Sequence, residues 1–328
     1  MAAEAGVILC DVTPRDGLQT LPEHWTVAAR VALIDRLSAA GLPRIEAVSF
    51  ANPARVPQMA EPEAVLAGIA RPPGCAFAGL AMNARGVERA LAAPLDEVRF
   101  VIVATETLSQ RNQSAGVAET VAAFRAAAPS VRAAGRRLTA VVAVAFGCPF
   151  EGEVPPARVA ALAAEAVAAG ADEVILADTI GVGVPAQARD LGARLGPVLG
   201  GRVWGVHLHN TRNTGLATAL AAIEAGARVV DAATGGIGGC PFATGATGNI
   251  ATEDLVWMLH RSGIGTGVDM AALMALSAAL RAQVPGAHTG QVVRAGDWPQ
   301  DRARAASARA SPPCPTPAPP APRPTPPG

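Results

Sequence analysis

The stretch VAAGADEVILADT, residues 167–179, decides the architecture. An Ala-rich helical segment runs into Gly170, a short polar turn follows, and then comes the apolar run Glu173–Asp178. Glycine just after the last helical residue suits a left-handed C-cap, where a Cβ is penalised. Upstream, between Pro156 and Gly170, the residues Val159, Leu162, Ala163, Ala166 and Val167 recur at helical spacing and form one apolar stripe. The same form, in different letters, returns in SAAGLPRIEAVSF around Gly41 and in IEAGARVVDAAT around Gly226.

Working outward, the pattern predicts eight strands: Val7–Asp11, Arg44–Phe50, Cys75–Ala81, Glu97–Ala104, Leu138–Phe146, Glu173–Asp178, Val203–His209 and Val229–Ala233. Several are nearly continuous apolar runs, as expected of parallel strands covered on both faces. Eight strand–helix units in succession predict an α/β fold of the (β/α)8 TIM-barrel type. An open doubly wound sheet is the alternative, but no Gly-rich dinucleotide fingerprint follows the first strand. A further helix is expected at about Met270–Gln283, beyond the eighth unit. The barrel domain is expected to span 1–296, with a tail over 297–328. In that tail, ten of the eighteen residues from Ser311 to Gly328 are Pro. Such a segment buries too little apolar area to offset its ordering entropy, so disorder is expected. A polyproline-type ligand for a partner domain is the other reading.

The 328 residues are 50% hydrophobic and 16% charged, enough for a sizeable core. Lys plus Arg equals Asp plus Glu at 27 each. A net charge of zero leaves no electrostatic footprint for nucleic acid or an anionic membrane. The chain has no Lys, so every basic residue is Arg, and it has no Tyr. Without Lys there is no Schiff-base aldolase, no Lys-anchored pyridoxal phosphate, no P-loop Lys and no biotinyl-Lys. Carbonyl chemistry here must stabilise its carbanion in another way, and a metal is the expected means. The five cysteines (Cys10, Cys75, Cys148, Cys240, Cys314) are scattered and odd in number, which fits a reducing compartment. No apolar stretch reads as a membrane span. The apolar run Val7–Cys10 begins within a few residues of Met1, which leaves no room for a signal or transit peptide, so a cytoplasmic location is expected.

In a barrel, chemistry gathers at the C-terminal strand ends. After the first strand stand Arg15 and Asp16; Glu46 lies in the second; Asp178 ends the sixth; His207 and His209 end the seventh. A Gly-rich loop, GGIGGCPFATGATGN (235–249), follows the eighth. Residues two apart on a strand share a face, so His207 and His209 are able to ligate one divalent cation. The bland alternative is two imidazoles with separate hydrogen bonds. Arg15–Asp16 is either a solvated ion pair or an oxygen ligand beside a cation that grips a carbonyl or enolate oxygen. Glu46 is costly to bury unpaired, so it faces a polar lumen or pairs with an Arg such as Arg15. Asp178 either orients a ligand or begins a helix. Cys240 sits where the backbone is able to approach a ligand closely, and a thiol there can move a proton if its pKa is tuned; Cys10, Cys75 and Cys148 read as inert.

Together these residues resemble the 3-hydroxy-3-methylglutaryl-CoA lyases, within the metal-dependent lyase and synthase barrels. The matching stretches are DVTPRDGLQ (11–19), IEAVSFANPARVPQMA (45–60), GCPFEG (147–152), ADTIGVGVP (177–185), VHLHNTRNTGLATAL (206–220) and GGIGGCPFATGATGNIATEDLVWML (235–259). They run in order along most of the chain. The resemblance implies that Asp16, His207, His209 and Asn249 ligate a divalent metal, Mg2+ or Mn2+. It makes Arg15 the cation at the enolate oxygen, Glu46 a support for the substrate and metal site, Asp178 a carboxylate assisting proton movement, and Cys240 the acid/base of a mobile loop. The implied reaction is retro-Claisen cleavage of an acyl-CoA substrate to acetyl-CoA and acetoacetate. The sequence is also compatible with a homodimer.

The chain departs from the family at Thr20-Leu21-Pro22, where Asn-Glu-Lys is common, and at Asn210-Thr211-Arg212-Asn213, where Asp-Thr-Tyr-Gly is common. These flank the pocket mouth and leave the acyl group open, with a related branched 3-hydroxy-diacyl-CoA as the alternative. Condensing synthases of the isopropylmalate kind resemble DxTLRDGxQ at the first motif and lack the GGCP…GATGN loop, whereas Pro14 and the full loop are present here. A non-catalytic barrel would be expected to lose one of Asp16, His207, His209, Asn249 or Cys240, and all five are present. If Cys240 is the acid/base, Cys240→Ser is expected to slow turnover strongly while leaving metal binding intact. Steady-state rates beside a metal titration check this.

Overall fold

The computed structural model describes residues 6–298 apart from 23, 240–244 and 285. Its strands are β1 (Ile8–Asp11), β2 (Arg44–Ser49), β3 (Ala76–Ala81), β4 (Glu97–Val103), β5 (Arg137–Ala143), β6 (Glu173–Asp178), β7 (Val203–Leu208) and β8 (Val229–Ala232). They pair in chain order, and β8 returns to β1, closing a barrel in which all eight pairings are parallel. The helices are α1 (Val27–Ala39), α2 (Pro62–Gly68), α3 (Ala84–Ala92), α4 (Glu106–Gln113), α5 (Val117–Ala133), α6 (Pro156–Ala169), α7 (Pro185–Leu199), α8 (Gly215–Glu224), α9 (Thr252–Arg261), α10 (Met270–Gln283) and α11 (Val292–Ala295). The expected TIM barrel is therefore the observed one, and α10 is the extra helix at Met270–Gln283. The unit holding the barrel ends at Arg294, and the Pro-rich stretch 311–328 lies outside the described residues. No helix among the described residues is long and apolar enough to cross a membrane.

Local chemistry sets the element ends. Gly170 caps α6 with φ +113, and Gly41 and Gly226 follow α1 and α8 at φ +84 and +100. The stripe on α6 is buried at Val159, Leu162, Ala163 and Ala166. Several strands end a residue short of the expected range, and β5 ends three short, at Ala143 and not Phe146. Val144 has φ +53 and turns the chain, a conformation disfavoured for a β-branched residue. Its N–H donates to Thr179 Oγ1 (2.9 Å), just past the end of β6.

The apolar core fills the layer between strands and helices; on β4, Phe100 meets Phe124 of α5 edge-on at 5.6 Å. The barrel interior is different. Arg44 of β2 reaches Glu173 of β6 (2.6 Å), and Arg99 of β4 reaches Asp231 of β8 (2.6 Å). Each pair joins strands on opposite sides of the closed sheet, so the side chains meet across its axis. Glu97 joins the two pairs, accepting from Arg99 Nε (2.9 Å) and lying 3.3 Å from Arg44 Nε. All five side chains are nearly or fully buried. Charges in such a place are tolerated only when paired, and removing one partner is far worse than replacing the pair. Arg99→Met removes the buried cation shared by Glu97 and Asp231, leaving Asp231 with His207 and Glu97 with Arg44 and Arg137, and is expected to destabilise the fold by about 3 kcal/mol; equilibrium urea unfolding measures it.

Candidate metal centre

The site lies at the C-terminal ends of the strands and begins one residue after β1. The N–H groups of Arg15, Asp16 and Gly17 all aim at the Val12 carbonyl (3.2, 2.8 and 3.1 Å). This tight turn, Thr13–Gly17, sets Arg15 and Asp16 side by side. Asp11 fixes it from below: its carboxylate accepts from the Thr13 N–H, from the N–H and hydroxyl of Thr234 and from the Thr252 hydroxyl. Burial raises the Asp11 carboxyl, opposed by those hydrogen bonds.

Asp16, His207 and His209 offer ligand atoms that all lie within 4.8 Å of one another. The two imidazole Nε2 atoms face each other at 3.3 Å, and Asp16 Oδ2 is 3.9 Å from His207 and 3.7 Å from His209. His207 is on β7. His209 lies one residue past its end, where it bridges antiparallel to Asn249. That bridge brings the Asn249 amide to the cluster: its Nδ2 donates to Asp16 Oδ2 (2.8 Å) and to the Ile237 carbonyl (2.9 Å). Asn249 Oδ1 is buried with no partner. One anionic carboxylate, two imidazoles and an unpartnered amide oxygen are the donor chemistry of a divalent cation.

Arg15 lies alongside. It holds Glu46 through Nε (2.8 Å) and NH2 (2.6 Å), and Asp16 Oδ1 through NH1 (2.6 Å). Burial would raise the Asp16 carboxyl, but Arg15 and the two imidazoles outweigh it and hold the group far below the usual carboxylate range. Arg15–Asp16 is thus a part-buried pair within the cluster, and Glu46 pairs with Arg15 as its cost of burial requires. Asp178 is differently engaged: its two oxygens accept from the N–H groups of Val182 (3.0 Å) and Gly183 (2.8 Å). It anchors the loop before α7. Burial raises its carboxyl against those bonds and the charge of His209. Cys240 lies outside the described residues.

Sequence reasoning missed Asp231. It pairs with His207 across β7 and β8 in register, and its Oδ2 lies 3.3 Å from His207 Nδ1. Nδ1–H donates there, which leaves the Nε2 lone pair facing Asp16 and His209. Burial would raise Asp231, but Arg99 and His207 bring it down to about 2. The signal was available as a lone carboxylate in the apolar run RVVDAA, with an arginine in a strand four units away.

A barrel with this donor set and an adjoining arginine defines a class of enzymes that activate a carbonyl compound at the mouth of a (β/α)8 barrel. Residues 6–280 match the HMGL-like family model, and the chain belongs to that family of carbon–carbon lyases. It is 46% identical to an (R)-citramalyl-CoA lyase of Chloroflexus aurantiacus over 281 residues (83% of this chain, 89% of that protein). It is 41% identical to the mitochondrial hydroxymethylglutaryl-CoA lyase of Rattus norvegicus over 268 residues (82% of each). Among solved structures, the HMG-CoA lyase of Acinetobacter baumannii in complex with coenzyme A and 3-methylmalate superposes with TM-score 0.87 at 37% identity, covering 92% of this chain and 98% of that one.

If Asp231 sets the His207 tautomer, Asp231→Asn is expected to weaken Mn2+ binding by about 10–100-fold. Electron paramagnetic resonance of free Mn2+ reads the change.

Proposed function

We propose that the protein is a divalent-metal-dependent lyase that cleaves 3-hydroxy-3-methylglutaryl-CoA to acetyl-CoA and acetoacetate, with Asp16, His207, His209 and Asn249 as metal ligands. The convergence of Asp16, His207 and His209 on one point carries this reading. Carboxylate and amide oxygens beside imidazoles suit Mg2+ or Mn2+. Such a cation, when bound, supplies Lewis-acid polarisation of the substrate oxygens.

The C3 hydroxyl must lose a proton. The C2–C3 electron pair then moves onto the thioester as an enolate, C3 becomes the ketone of acetoacetate, and C2 takes up a proton to give acetyl-CoA. With no Lys to form an iminium, the developing enolate needs a fixed positive charge. Arg15 provides it, since Glu46 and Asp16 already hold its guanidinium in place. A preorganised contact of this kind is worth roughly 10²–10³ in rate. Asp178 is assigned to proton movement, supported by its carboxyl, which burial raises, and by its place at the end of β6 beside the strand that carries the paired imidazoles. Cys240 is assigned as the acid/base. Gly238, two residues before it, is packed so closely that a Cβ there would come within 2.6 Å of the Asn249 amide and 3.2 Å of Asp16 Oδ2.

A CoA thioester of a branched hydroxy-diacid is supported by the names of the relatives and by the ligands of the Acinetobacter lyase. The citramalyl-CoA relative favours a second reading. That substrate is shorter by one methylene between carbinol and carboxylate, and the same bond cleavage would release acetyl-CoA and pyruvate. The departure at Asn210-Thr211-Arg212-Asn213, at the pocket mouth, is where such a difference would be read. Among the described residues Cys10, Cys75 and Cys148 are free thiols, which supports a reducing compartment such as the cytoplasm.

Both thioesters, (S)-3-hydroxy-3-methylglutaryl-CoA and (R)-citramalyl-CoA, should be assayed for acetyl-CoA release. Chelator is expected to abolish cleavage, and Mg2+ or Mn2+ to restore it. Chelator-insensitive turnover removes the mechanism, whereas preference for the shorter acid keeps the mechanism and changes the acyl group.

A further inference from the structure

Outside the metal cluster, α9, α10 and the segment that follows α10 bring together a second group of buried polar residues. The Ser277 hydroxyl of α10 donates to Glu253 Oε1 of α9 (2.6 Å) and lies 2.8 Å from His288 Nε2. Since the hydroxyl proton points to Glu253, Nε2–H of His288 donates to Ser277. The other oxygen of Glu253 accepts the Gly235 N–H (2.9 Å). Glu253 and Ser277 are fully buried. Burial pushes the Glu253 carboxyl up to about 7, while burial and Arg281 hold His288 below its ordinary value.

This group closes on the root of the Gly-rich loop. The Gly235 carbonyl accepts from the N–H groups of Thr289 (2.8 Å) and Gly290 (3.2 Å), and the Gly236 carbonyl accepts the Thr289 hydroxyl (3.2 Å). Gly235 has φ +78, and a Cβ there would come within 2.5 Å of the His288 ring. The turn is thus gripped from two sides, by α9 and by residues 288–290. Its next residue is Ile237, whose carbonyl accepts the Asn249 amide beside Asp16.

We propose that Ser277 and His288, acting through Glu253 and the Gly235–Ile237 turn, are positioning residues for Asn249. On this account α10 and the segment after it set the fourth donor of the metal cluster, although neither reaches the cluster itself. The inference rests on the reading of Asn249 as a metal ligand. It assigns a role in the site to the part of the chain beyond the eighth strand–helix unit.

The test uses the full chain and Mn2+ alone as probe, with electron paramagnetic resonance of free Mn2+ for affinity and thermal unfolding as the control for general stability. Ser277→Ala and His288→Leu are expected to weaken Mn2+ binding on the order of tenfold, at the low end for residues that support a ligand indirectly. Turnover at saturating Mn2+ should recover most of the wild-type rate. His288→Gln keeps an N–H that is able to reach Ser277 and is expected to hold affinity within about twofold. That rescue is what a purely structural role would not give. If Ser277→Ala fails to fold, the His288→Leu and His288→Gln pair decides. Folded variants with wild-type Mn2+ affinity, or a Gln variant as weak as the Leu variant, overturn the proposal. Wild-type protein that binds no Mn2+ sinks the metal reading and the clamp together, whereas wild-type binding with unaltered variants sinks the clamp alone.

Discussion

Asp231 is the hinge between the structural and the chemical halves of this barrel. One of its oxygens receives Arg99 from the far side of the sheet and stands against His207 from the neighbouring strand. A buried carboxylate is costly unless it is paired, and Arg99 and His207 are the partners this one has. The same atom that balances Arg99 therefore fixes the imidazole that faces Asp16. The chain Glu173–Arg44–Glu97–Arg99–Asp231–His207 runs through the interior from β6 to the candidate metal centre, with opposite charges in contact at each of its first four links.

The surrounding site repeats this economy of parts. Arg15 holds both Glu46 and Asp16 with one guanidinium. Asp11 binds the turn after β1, the turn after β8 and the first residue of α9 with one side chain. These shared bonds place residues from distant parts of the sequence within a few ångströms of each other. A preorganised electrostatic site requires that of its scaffold, since groups that must reorient during the reaction lose most of their effect.

Much of this was legible in the letters. Helical stripes ending in glycine before apolar runs marked the strand–helix units, because left-handed caps and buried parallel strands both leave strong local signals. His207 and His209 showed as a pair because a strand places alternate residues on one face. The end of β5 was not legible: it depends on Val144 taking a left-handed conformation that its side chain opposes, held by a hydrogen bond to a residue 35 positions away. The ionic interior escaped for a similar reason. Arg44, Glu97, Arg99, Glu173 and Asp231 each look like single polar interruptions, and only closure of the sheet brings Arg44 to Glu173 and Arg99 to Asp231. Asp178 was legible as a special carboxylate, yet its hold on Val182 and Gly183 follows from the loop's path and not from spacing.

The cross-axis guanidinium–carboxylate pairs also bear on heat. Water solvates ions less favourably as temperature rises, so the penalty for keeping charges dry shrinks, while the gain from burying oily surface levels off. A floor made of Arg44–Glu173 and Arg99–Asp231 therefore becomes relatively less costly on warming. Arginine also keeps its charge at any pH the protein will meet, so the pairs are not lost by deprotonation of the cation. This barrel's interior is one whose relative standing improves toward the warm end of its working range.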